Sequence, residues 1–90
     1  MIVEIVKDDR RWCGVVTAVS LERSEAGVAL IVRSNGDYGS ATYPTERWAD
    51  AVGTYEQVIG GLVEEHLEKT TIALTIEDGK VVWIDRGEEE

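Results

Sequence analysis

Three kinds of side chain in this sequence could do chemistry: one histidine, one cysteine and a row of carboxylates. His66 would act as a general base only beside a nucleophile or an orienting carboxylate, and the sequence places neither next to it. It projects from an apolar stripe, so a core histidine hydrogen-bonded to the backbone is expected. One Cys and one His cannot supply a tetrahedral ligand set, so neither a metal nor a cofactor is expected. Cys13 follows Trp12 on a strand side that is otherwise apolar, which points to a buried, inert thiol. Arg10-Arg11-Trp12 could stack a base or hold a phosphate, but Asp8 and Asp9 in the same turn are expected to pair with the arginines. Gly36-x-x-Gly39 has neither the spacing nor the following Lys-Ser or Lys-Thr of a phosphate-binding loop.

The carboxylates carry the strongest pattern. At the helical step, Glu46, Asp50, Gln57, Glu64 and Glu68 fall in a narrow arc opposite Trp48 and Ile59. Gly60 and Gly61 lie toward the same side, with Gly53 near them. A solvated face is the ordinary role for such a row. The other role is a surface that docks a basic partner, with the glycines allowing close approach. Like charges four residues apart cost a few tenths of a kcal/mol each. A glycine inside a helix costs about 1 kcal/mol relative to alanine. Both costs fall on this one face.

The elements that must position these residues follow from the pattern. Residues 2–7 are a short β-rich run, and 8–11 are a polar turn. Residues 12–21 form a longer strand with Cys13, Val15, Thr17, Val19 and Leu21 on one face. After a polar loop at 22–27, the strand 28–34 pairs Val28 with Leu21, Leu30 with Val19 and Val32 with Thr17, which aligns the apolar faces. Asn35-Gly36 marks a type I′ hairpin, setting Ser34 opposite Asp37 and Val28 opposite Tyr43. The strand that follows is thin and contains glycine, so it is expected at a sheet edge, and Pro44 ends it.

Residues 45–69 read as the helix. Trp48, Val52, Tyr55, Ile59, Leu62, Val63 and His66 recur at three- and four-residue steps and form its apolar stripe. Thr54 with Gln57 resembles a capping box, so a bend or a fresh start near Gly53 is an alternative to one continuous helix. Residues 70–77 and 80–86 form a second hairpin around Asp78-Gly79, with Glu77 facing Lys80, Ile76 facing Val81, Leu74 facing Trp83 and Ile72 facing Asp85. Its reverse face carries Ala73, Thr75, Val82 and Ile84, unusually apolar for a solvent side.

Composition bounds the rest. Eighteen acidic against nine basic residues give a net charge of −9 on 90 residues, which repels nucleic-acid backbones and anionic lipid and favours basic surfaces. Val, Ile and Leu supply 24 of the 90 residues, enough for one folded core. A single domain over residues 1–87 is expected, with 88–90 an acidic, frayed tail. The N-terminal run does not read as a signal peptide, and no apolar stretch approaches the ~20 residues of a membrane span. A lone cysteine fits a reducing, cytoplasmic setting.

The expected fold is α+β: an antiparallel five- to six-stranded sheet in the order ββββαββ, with one amphipathic helix packed on one face and Trp48 and Trp83 buried between them. The expected function is a small, non-enzymatic interaction domain that binds or inhibits a basic protein through Glu46, Asp50, Gln57, Glu64 and Glu68. Immunity proteins, inhibitors and mimics of DNA charge share this profile of charge and size only. The alternative is a homo-oligomeric module, in its simplest form a homodimer, associating through Ala73, Val82 and Ile84. A small ligand binder or enzyme using His66 is the third reading.

Overall fold

One strand organises the chain. Arg10–Ser24 runs for 15 residues without a break, carried by a Pro-free stretch rich in β-branched residues. A computed structural model describes residues 1–86, with side chains through Trp83. The expected acidic tail at 88–90 lies outside these residues. The elements are β1 (Ile2–Lys7), β2 (Arg10–Ser24), β3 (Gly27–Ser34), β4 (Asp37–Tyr43), a 3-10 turn (Thr45–Arg47), α1 (Trp48–Glu68), β5 (Ile72–Glu77) and β6 (Lys80–Arg86). The strands form one six-stranded sheet in the order β4-β3-β2-β1-β5-β6. No helix among the described residues is long and apolar enough to cross a membrane.

The fold is α+β, with six strands and one helix, but the sheet is mixed rather than antiparallel. β1 pairs antiparallel with β2 and parallel with β5, placing Ile2 beside Ala73 and Ile5 beside Ile76. The 3-10 turn also adds an element to the expected order. Antiparallel neighbours can be joined by a tight turn that leaves a mark in sequence, whereas parallel ones need a long crossover. Here that crossover spans β2 to α1, so no local signal specified it.

β2 serves both halves of the sheet. Its first part pairs with β1 through Val15, and its second part pairs with β3 from Val16 onward. The ladder shifts between Val16 and Ala18, which leaves Thr17 as a bulge. An extra residue inverts the alternation of side chains. Before the bulge Val16 is buried and Cys13 and Val15 are exposed; after it, Val19 and Leu21 pack on the core. The single shared face expected for Cys13, Val15, Thr17, Val19 and Leu21 is therefore split, and Cys13 is not a buried thiol. The β2–β3 register is also two residues tighter than expected: Leu21 faces Leu30, Val19 faces Val32 and Arg23 faces Val28. A shift of two preserves which face is apolar, so the pattern alone could not distinguish the registers.

The β3–β4 hairpin has the expected register, from Ser34 opposite Asp37 to Val28 opposite Tyr43, and β4 is an edge strand. Its turn is not type I′, because only Gly36 of the two central residues has positive φ, at 84°. The Asp78-Gly79 turn does place both residues there, at 52° and 80°. Glu77 faces Lys80 and Ile76 faces Val81, but a second bulge follows, so Thr75 rather than Leu74 faces Trp83, and Ile72 faces Arg86 rather than Asp85. That slip moves Trp83 off the core, leaving it 51% exposed instead of buried.

The helix is continuous across Gly53 and ends at Lys69, whose left-handed conformation places its N–H 2.8 Å from the Glu65 carbonyl oxygen. No capping box forms at Thr54. Its hydroxyl instead donates to the Asp50 carbonyl (3.1 Å) and accepts from the Tyr43 hydroxyl (3.1 Å). The buried face of the helix is Ala51, Thr54 and Val58, with Tyr55 and Leu62 packed alongside. It covers Val3, Ile5, Leu30, Val32, Tyr43, Ile72, Leu74 and Ile76 of the sheet. The expected stripe is rotated away from this face. Trp48 is 59% exposed, and Ile59, Val63 and His66 are exposed, so His66 is not a core histidine. Small Ala51 and Thr54 let the helix approach the sheet closely, and the Tyr43–Thr54 hydrogen bond fixes its rotation.

A glycine slot seats Trp12. A Cβ on Gly14 or Gly39 would lie 2.7 Å or 2.5 Å from the indole, and the indole N–H donates to the Asp37 carboxylate at 3.0 Å. Gly39→Ala should therefore displace the ring and destabilise the fold by about 1–3 kcal/mol, as overpacking does. Urea denaturation is the measurement; an unchanged midpoint would mean the indole has room to move.

Candidate functional site: an acid-rimmed groove

The acidic side of α1 borders two concavities. The larger, of about 560 Å³, lies between the C-terminal half of the helix and β5. Its floor is Met1, Ile72 and Leu74, all buried. Its helix wall is Gln57, Gly60, Gly61, Glu64 and Glu68, with Val63 and Leu67 on the outer lip. The smaller, of about 270 Å³, lies between the start of α1 and the β5–β6 turn, lined by Asp50, Gly53, Thr54, Gln57, Gly79 and Lys80 among others. Gln57 borders both and joins them along the helix.

Each wall residue has a local reason for its place. Gln57 sits two turns before Glu64 and Glu68 one turn after it, so the three share a side of the helix. Gly61 faces the floor, where a Cβ would come within 2.7 Å of the Met1 methyl. At Gly60 a Cβ would meet nothing within 4 Å, so the groove is open at that point. Met1 is fixed by an ion pair between its ammonium and Glu65, and by its carbonyl accepting from the Val16 N–H at 2.6 Å.

The structure gathers Gln57, Glu64 and Glu68 on the larger groove, and Asp50 with Gln57 on the smaller. Glu46 sits in the 3-10 turn, exposed, and lines neither. Asp50 pairs with Arg47 (Nε to Oδ2, 2.9 Å), whose guanidinium lies 5.6 Å from the centre of the Tyr43 ring. Arg11 pairs with Glu4 at 2.9 Å rather than with the aspartates of its own turn, because both project from the open face of the sheet. Among the described residues no group of three or more His, Cys, Asp or Glu side chains could hold a metal ion.

The second surface is that open face, turned away from the helix. Val15, Ile2 and Ala73 stand in one row, and Cys13, Glu4, Thr75 and Trp83 in the next. Ile2, Val15 and Trp83 are exposed and Ala73 is half-buried. Val82, at the bulge, is exposed, and the side chain of Ile84 lies outside the described residues. Sequence reasoning missed Ile2, Val15 and Leu67. Ile59, Val63 and Leu67 form an i, i+4, i+8 apolar run separate from the buried one, and that spacing was the available signal.

No family model matches the chain, and neither a curated protein nor a solved structure matches it.

The buried hydrogen-bond relay beneath the helix makes a measurable claim. Burial raises the Tyr43 phenol above its ordinary value of 10.0, assisted by the Asp50 charge; the Thr54 hydrogen bond and the Arg47 charge act in the opposite direction. The stability that comes from keeping it protonated is complete below pH 10.0 and is lost as pH rises through the raised folded value. Tyr43→Phe should cost about 1 kcal/mol at neutral pH and flatten part of the alkaline loss. Denaturant midpoints of both proteins from neutral to alkaline pH test this; parallel curves would remove Tyr43 as the source.

Proposed function

We propose that this protein is a non-enzymatic interaction domain that binds a basic protein through the acid-rimmed side of α1, in the reducing cytoplasmic setting that a lone cysteine suits. The observation that supports this reading is the convergence of Gln57, Glu64 and Glu68 on one groove, in a chain of net charge −9. Negative potential focused on a concave surface raises the local concentration of a cationic partner and speeds encounter. A mimic of DNA charge would work by the same physics. Glu46, one turn before the helix, adds to the field and touches no groove.

The test compares capture of basic proteins from lysate by wild type and by Glu64→Gln/Glu68→Gln. Capture by wild type should fall steeply between about 0.1 M and 1 M salt, as the Debye length shrinks from about 10 Å to about 3 Å. The double variant, checked for an unchanged circular dichroism spectrum, should lose about tenfold in affinity at the lower salt. If it captures the same proteins with the same salt dependence, Glu64 and Glu68 are not the docking surface.

Exposed Ile2, Val15 and Trp83 favour a second reading, in which the open sheet face, with Ala73 and Val82 among its expected contacts, joins two copies; Ile84 drops from that set, because the slip in β6 pairs it with buried Leu74. Light scattering should then show a mass that rises with concentration and falls back to the monomer value in Val15→Lys. A wild-type monomer at millimolar concentration would exclude it.

A further inference from the structure

We propose that the groove between the C-terminal half of α1 and β5 receives the apolar anchors of a basic amphipathic segment, so that its partner is recognised by a few Leu-, Ile- or Met-type side chains flanked by Lys or Arg. This rests on the reading that the acidic side of α1 binds a basic protein, and it specifies what in that protein is bound.

The groove combines two chemistries that a solubilising face would keep apart. Its floor is apolar and its helix wall carries carboxylates. Between them and solvent stand Val63, 53% exposed, and Leu67, 73% exposed. Charge capture alone would need no apolar floor and would be better served by polar residues on the lip. Glu64 and Glu68, one helical turn apart, put negative charge on the same lining that presents the apolar floor. Both features are used at once by a cationic chain with apolar side chains on one face.

The dimensions agree. From Gln57 to Glu68 the helix rises about 16 Å, close to three helical turns of a partner. Anchors at i, i+3 or i+4, and i+7 span about 10.5 Å and so fit within that length. A volume of about 560 Å³ suits a small set of side chains rather than a whole helix, so the partner's backbone would rest on the lip. Gly60 gives that backbone its nearest approach, since no atom lies within 4 Å of where its Cβ would be. A second copy of this chain does not fit this groove, because a chain of net charge −9 would meet Glu64 and Glu68 with like charge.

The probes are three synthetic peptides of equal length: one of Lys with Leu at helical anchor spacing, one with every Leu replaced by Ser, and one with every Lys replaced by Glu. Binding is read by fluorescence anisotropy of labelled peptide, and its place by the amide resonances of Gly60 and Gly61. The Lys-Leu peptide should bind about tenfold or more tightly than the Lys-Ser peptide, a margin of about 1.4 kcal/mol, and the Glu-Leu peptide should not bind. Val63→Thr/Leu67→Gln changes only exposed residues and leaves the charge intact. It should erase the margin without altering Lys-Ser binding. Equal affinity for the two basic peptides, a margin that survives in the variant, or shifts elsewhere than Gly60 and Gly61 would overturn the groove and leave the acidic-face reading standing. No binding of either basic peptide at low salt would overturn both.

Discussion

The inversion at Thr17 is the constraint on which the rest of the molecule depends. β2 belongs to both halves of the sheet, and one extra residue lets each half turn its apolar side chains to the same helix. Without the bulge, strict alternation would bury Val16 and send Val19 and Leu21 to the other face. The core would then divide into two patches, each too small for a chain of this length. With it, Val3 and Ile5 on β1 and Leu30 and Val32 on β3 meet beneath α1 as one cluster.

The helix sits where that cluster and Tyr43 place it. Buried positions Ala51, Thr54 and Val58 are small or medium in size, and the larger apolar residues lie to one side. Packing is favoured by close approach of helix to sheet, and here that term outweighs burying the bulkiest side chains. One result is that carboxylates and apolar groups share a flank. Another is that Gly61 and Met1 can meet under the helix, closing the end of the floor.

Local features were legible in the sequence and long-range ones were not. Six strands, one helix, the Asn35-Gly36 and Asp78-Gly79 hairpins and the register of β3 with β4 all follow from turn residues and periodicity over a few positions. The parallel β1–β5 pair leaves no turn behind, and residues 2–7 read only as a short β-rich run. Both bulges escaped notice because a one-residue slip costs nothing in composition, yet it reverses Trp83 and parts Cys13 from Val19. Trp48 misled for a related reason: a large aromatic dominates any reading of a helix stripe, and the deciding contact was the hydroxyl of Thr54. In the candidate site, the arc of Gln57, Glu64 and Glu68 was legible from helical geometry. Its apolar floor was not, because Met1 and Ile72 come from opposite ends of the chain.

The parallel pairing of β1 with β5 also has a consequence for how the molecule is made. The first four strands can pair as successive hairpins, each closed by a short turn. β1 then holds an unpaired edge and an uncovered apolar row until the helix has formed and β5 has arrived. A contact between the second residue and the seventy-third carries a large loop-closure entropy that nothing earlier in the chain offsets. Assembly is therefore all-or-none late in the process, and the speed of folding is set by topology more than by the strength of any hairpin. Until that step the Val3–Ile5 edge is open to pairing with a neighbouring chain, and high net charge is the property that keeps such chains apart.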